Sequence, residues 1–185
     1  MTDTFDPIEI EAGVRRWLER AVIGLNLCPF AKAVYAKDQV RIVVSDAGTE
    51  RALLEELGEE MARLRDTPAE EIDTTLLVHP QVLGDFLDYN DFLDDADALV
   101  EAMALEGVLQ VASFHPDYQF AGTDPGDAEN CTNRAPYPIL HLLREDSLDR
   151  AMAAYPEPDA IIERNVATMQ ALGIAGFRKL LSDDA

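Results

Sequence analysis

Three histidines, two cysteines and a small set of arginines and amides carry what chemistry the chain has. His79 and His115 each end an apolar run and precede a proline, in Val78-His79-Pro80 and Phe114-His115-Pro116, and Cys28 precedes Pro29 in the same way. A residue before proline is biased toward extended backbone, so each of these side chains is presented from a rigid turn. His79, His115 and His141, with a carboxylate such as Asp117, have the donor types of a Zn or Fe site. No HxH, HxxxH or HExxH spacing accompanies them, and a lone strand histidine is more often a hydrogen-bonded core residue than a ligand. Cys28 is the second candidate, a nucleophile whose thiolate would be favoured by His79 or His115 acting as base. Leu25, Leu27 and Phe30 around it suit an ordinary buried cysteine equally well. Cys131 lies in a polar stretch and reads as the more exposed thiol.

Groups able to hold a substrate cluster between 115 and 137. The run contains Asp117, Tyr118, Asn130, Asn133 and Arg134 and shows neither a helical nor a strand period. Structureless segments of that length inside compact domains are usually functional or disordered. Tyr118, Phe120, Cys131 and Tyr137 are not a solvating composition, so a ligand-facing loop is expected. Arg134 and Arg144 offer guanidinium forks suited to carboxylate or phosphate, although surface or structural ion pairing is the commoner use. Asn90 is expected to point inward beside Phe86 and Leu87, and Glu163 and Asn165 lie close to the apolar stripe of the last helix. The aspartates from Asp85 to Asp97 read as a solvated helix face, lacking the glycine and spacing of a calcium loop.

The elements that must position these groups follow from hydrophobic period. β-Branched or leucine-rich runs at 40–44, 74–78, 108–114 and 139–143 read as strands. Three- and four-residue spacing marks helices at 7–24, 49–65, 81–104, 147–154 and 159–172. Alternation of the two predicts a single α/β domain over 1–185, a layered sheet of about four mixed, partly parallel strands packed with four to six helices. If the second and third strands are parallel neighbours, His79 and His115 meet at their carboxyl ends, where such sheets collect ligands. In the fourth strand, period two puts His141 and Leu143 on one face and Leu140, Leu142 and Arg144 on the other.

Composition excludes several classes. The 185 residues carry 36 acidic against 15 basic side chains, a net charge of −21. That field repels phosphate backbones and anionic lipid, so neither nucleic acid nor membrane is an expected partner, and oligomeric state stays open. No stretch approaches the roughly 18 unbroken apolar residues of a spanning helix. The acidic amino terminus is not that of a signal peptide, and two cysteines make no disulfide framework. A cytoplasmic protein is expected.

The motifs Cys28-Pro29-Phe30, His79-Pro80, Tyr89-Asn90-Asp91, His115-Pro116-Asp117-Tyr118 and Glu163-Arg164-Asn165 resemble a bacterial family, domain of unknown function 1415, over nearly the whole chain. The resemblance implies no activity. It does place Cys28, His79, Asn90, Asp91, His115, Asp117, Tyr118, Asn133, Arg134, His141, Arg144, Glu163 and Asn165 at motif positions. The residues themselves point first to an enzyme acting on a small anionic molecule in a polar pocket at the strand carboxyl ends. Its chemistry would be metal-assisted hydrolase, lyase or redox chemistry through His79, His115 and His141, with Asp117 and Glu163 as further catalytic groups. The alternatives are a Cys28-dependent acyl or amide transfer enzyme and a non-catalytic acidic protein that docks a basic partner.

Overall fold

The β-branched run Val40–Val44 (β1) pairs in parallel with the leucine-rich Thr74–Val78 (β2), in a computed structural model that describes residues 6–155, 157 and 160–182. Ile139–Arg144 (β4) lies antiparallel between β2 and Leu109–Phe114 (β3), giving the sheet order β1-β2-β4-β3. β1, β2 and β3 therefore run the same way, and their carboxyl ends share one rim with the start of β4. The fold is α/β with a mixed, partly parallel sheet. β2 and β3 are not neighbours, because β4 is inserted between them.

Strand period two divides the core into two layers. Val43, Leu77, Leu140, Leu142 and Val111 face α3 (Glu50–Asp66) and α4 (Phe86–Ala102), with Leu53, Leu57, Met61, Tyr89 and Phe92 packed on them. Ile42, Leu76, Val78, Ile139 and Phe114 face the other way, toward Ile10, Val14 and Trp17 of α1 (Pro7–Trp17) and Met169 and Phe177 of α6 (Ala160–Leu181). Each of these leucine-sized burials contributes about 1.5–3 kcal/mol before the entropy of ordering is set against it.

Capping sets the helix starts. Asp6 accepts from the Ile8 N–H, Thr49 from Ala52 and Asp85 from Leu87 at 2.8 Å. The sequence pattern starts α4 near 81, whereas Asp85 and the left-handed Leu83 (φ 59°) delay it to Phe86. The buried stripe of the helix is Tyr89, Phe92, Ala96 and Val100. Tyr89 is fully buried, and Asn90, expected to point inward, is exposed.

The first helix ends its regular part at Trp17 and continues as a π-turn over Leu18–Ile23, closed at Gly24, where a Cβ would sit 2.3 Å from the Arg20 carbonyl oxygen. Sequence pattern misses the short α2 (Ala31–Ala36), which has no buried residue to mark it. It also ends the last helix too early. The pattern stops at 172 because Gly173 (φ 70°) breaks the element, yet helical turns resume to Leu181. Asp159, the expected first residue of that helix, lies outside the described residues. α5 (Glu145–Ala154) follows β4 directly. Among the described residues no helix is long and apolar enough to cross a membrane.

Candidate functional site

Two of the three histidines do meet at the rim, with three of their four ring nitrogens already engaged. His79 and His115 are both fully buried, each ring against that of Tyr89, at 5.7 Å and 5.1 Å between centroids. His79 Nδ1–H donates to the Val82 carbonyl (3.0 Å), and His115 Nε2–H donates to that of Leu83 (3.1 Å). The remaining nitrogen of His115 accepts the Asp117 N–H at 3.0 Å. Tyr89 donates to the Ile139 carbonyl (2.7 Å) and accepts from Phe114 N–H (3.1 Å), tying the rim to α4. Burial holds the acid form of His79 down to about 4 and lowers that of His115. This cluster fastens the turn 79–85 and is built as neutral scaffold.

His141 is across the sheet. It stands on the α1 face, its ring 5.9 Å from that of Phe114, while the other two turn toward α4. The sheet between them prevents the expected three-histidine centre. Among the described residues no three His, Cys, Asp or Glu side chains converge as metal ligands.

The proposed anion anchors are also spoken for. Arg134 donates to the Tyr118 carbonyl (3.1 Å) and the Pro125 carbonyl (2.9 Å). Arg144 donates to the carbonyls of Ile72, Leu64 and Thr67. Arg164 likewise holds the Tyr155 hydroxyl and the Asn26 carbonyl. Arginine's fork satisfies several carbonyls at once, and here it clamps loops and a helix end. Asn130 is a loop strut of the same kind. Its Oδ1 accepts from the Phe120 N–H and the Thr123 hydroxyl, and its Nδ2 donates to the Asp124 carbonyl. Tyr118 packs edge-on to Phe120 and beside Phe86, and Asp117 and Glu163 are exposed.

What opens instead are two cavities on the α1 face. The first, about 500 Å³, lies between the sheet, the π-turn, α2 and α5. Trp17, Phe30, Phe114, Leu143 and Leu148 give it a mostly apolar wall, and its polar lining is His141 and Thr74 together with Asp73, Arg144, Ser147, Tyr35 and Tyr155. The second, about 570 Å³, lies under the 115–137 segment and is lined by Phe120, Thr132, Asn133 and, from α6, Asn165. Cys28 lines both, as do Val22 and Phe114. Volumes of this order are those of small-molecule sites.

The exposures of the two thiols invert the expectation. Cys28 is half-buried at the junction of the cavities, whereas Cys131 is only 1% exposed and burial pushes its thiol up. The segment 120–132 folds inward around Asn130, which is why its cysteine is sealed. Asn133 braces β3 through Nδ2 to the Ser113 carbonyl (3.2 Å). Asn165 donates from Nδ2 to the Leu27 carbonyl (2.7 Å), steadying the turn that carries Cys28, and its Oδ1 has no partner among the described residues.

His141 has one free atom. The Thr74 hydroxyl lies 2.6 Å from both His141 Nε2 and the Leu142 carbonyl. Its single proton is committed to the carbonyl, so Nε2 must carry the hydrogen and Nδ1 keeps its lone pair. Nδ1 has no partner among the described residues, and it is not sealed off as the His79 Nε2 lone pair is. Burial keeps this ring neutral down to about 4. Sequence reading assigned His141 its face correctly and still grouped it with the wrong histidines. The signals for the chamber were weak, since its roof comes from α2 and α5, neither of which has a buried residue.

A family model described as a protein of unknown function (DUF1415) matches residues 9–179. No curated protein and no solved structure matches the chain.

Proposed function

The chain belongs to the DUF1415 family, and we propose that it is an enzyme acting on a small, largely apolar acyl compound, with Cys28 as the group that reacts. One observation carries the reading: the half-buried Cys28 thiol stands where an apolar chamber and a more polar one adjoin. An acyl group with an apolar body fits the first chamber, and the leaving portion fits the second, beside Asn133 and Thr132. The tied arginines and the mostly apolar wall support this substrate over a small anion.

The reaction is transfer through a thioester. Cys28 Sγ bonds to the acyl carbonyl carbon, the bond to the leaving group breaks, and that group departs with the thiol proton. Water then adds to the thioester carbon, releasing the carboxylic acid and restoring the thiol. A cysteine is strongly nucleophilic even when only a small fraction is ionised. The other groups first expected to be catalytic, His79, His115, Asp117 and Glu163, have no part in this step.

Incubation with p-nitrophenyl octanoate, followed by intact mass measurement and peptide mapping, tests the reading. We expect p-nitrophenol release that Cys28→Ala abolishes, with one octanoyl group, trapped by acid quenching during turnover, mapped to Cys28. No p-nitrophenol release above background, or release and lysine acylation unchanged by Cys28→Ala, overturns it.

A further inference from the structure

The chamber beside Cys28 does more than exclude water. Its wall is mostly apolar, but the neutral imidazole of His141 presents one hydrogen-bond acceptor on the sheet side, Nδ1, while Nε2–H is fixed by Thr74. From this geometry we infer that His141 is a specificity residue: the apolar body of the ligand carries one neutral donor, a hydroxyl or N–H, that bonds His141 Nδ1. The inference rests on the chamber being the ligand site proposed above and adds the chemical class that occupies it.

The physical argument is one of unpaired groups. In the empty chamber water can satisfy the Nδ1 lone pair. A purely apolar occupant displaces that water and leaves the lone pair unmatched, whereas a hydroxyl replaces the bond. Thr74 prevents an easy escape. Its hydroxyl has no second proton to offer, so the imidazole cannot exchange tautomers without breaking Nε2–H···Oγ1 or the bond to the Leu142 carbonyl. A phenol or an alcohol on a hydrocarbon body meets every condition.

Trp17 is the only tryptophan of the chain and lines this chamber, so its emission reports occupancy. The probes are 4-propylphenol and its methyl ether, 4-propylanisole, alike in apolar body and differing in the donor. Titrated into the unmodified protein with excitation at the red edge of tryptophan absorption, the phenol is expected to bind on the order of ten- to a hundredfold more tightly. In His141→Phe the preference is expected to fall below about twofold, the scale of a difference not carried by a hydrogen bond. Equal affinities in the unmodified protein overturn the inference and leave Cys28 acylation standing. Binding of neither probe removes the chamber as a ligand site and with it the inference, whatever the outcome of acylation. The ether comparison needs no variant, so a misfolded His141→Phe does not rescue the proposal.

Discussion

Acidification from pH 7 to pH 4 is expected to remove several kcal/mol of folding stability, in a loss that begins well above the pH at which carboxylates are neutralised. Two imidazoles set that loss. His79 and His141 are driven by burial from 6.5 to about 4. With folded values below the unfolded one, the unfolded chain binds more protons throughout this interval, so stability falls as pH falls. The contribution is fully present above about 6.5 and disappears as pH drops through about 4. At ~1.4 kcal/mol per tenfold change in proton affinity, each imidazole accounts for about 3 kcal/mol. Urea unfolding at pH 7, 5.5 and 4.5 measures it. Two of the expected increments vanish separately, one in His79→Gln and one in His141→Gln, since a neutral amide does not titrate. A flat profile between pH 7 and 4.5 would mean that neither ring is held neutral, and with that the scaffold role of His79 would fail.

The second large effect is at Arg144. Its guanidinium donates to the Ile72 carbonyl through Nη2 (3.0 Å) and Nε (3.2 Å), and to the Leu64 carbonyl (2.5 Å) and that of Thr67. Leu64 lies in the last turn of α3, where carbonyls have no partner within the helix. Removing the fork strips the acceptors at the α3 carboxyl end and at the start of β2 together. Arg144→Leu is expected to cost about 3–5 kcal/mol, from charge-assisted bonds worth ~1.5–3 kcal/mol each that are only partly replaced by water. For a chain of this size that is a fall in Tm of roughly 10 °C. Arg144→Lys recovers little, because one ammonium cannot reach carbonyls arranged around a planar fork. Calorimetry decides between two roles. A loss below about 1 kcal/mol with impaired substrate binding would return Arg144 to the anion-holding function its residue type first suggested.

Much of this architecture can be read directly from periodicity. The runs at 40–44 and 74–78 are strands at those bounds, and the spacing of Leu53, Leu57, Met61 and Leu64 marks the buried stripe of α3. These elements bury one consistent face, and burial is what leaves a pattern. α2 escapes because it covers a cavity and buries no residue of its own. Asn90 is misplaced because the stripe that α4 buries runs through Tyr89, Phe92, Ala96 and Val100, one position over from it.

The site is harder than the fold for a physical reason. Residue type shows what a side chain is able to bind but not what already holds it. His115 has both nitrogens engaged and His79 has one, and Arg134, Arg144 and Arg164 reach backbone carbonyls. Such bonds run to main-chain atoms, which every residue carries, so no sequence signal marks them. Strand period did put His141 opposite Leu140 and Leu142. The missing information was the order of the strands: β4 between β2 and β3 sets the faces that separate His141 from the rim pair.

The account stands on Cys28 and the chamber ligand sharing one continuous space. Alkylation of Cys28 by iodoacetamide, followed by peptide mass spectrometry with and without 4-propylphenol, measures that directly. At about ten times its Kd the phenol should slow Cys28 alkylation roughly tenfold by mass action, while the sealed Cys131 stays unmodified in both samples. An unchanged Cys28 rate at saturating phenol would place thiol and ligand in separate spaces and contradict the account.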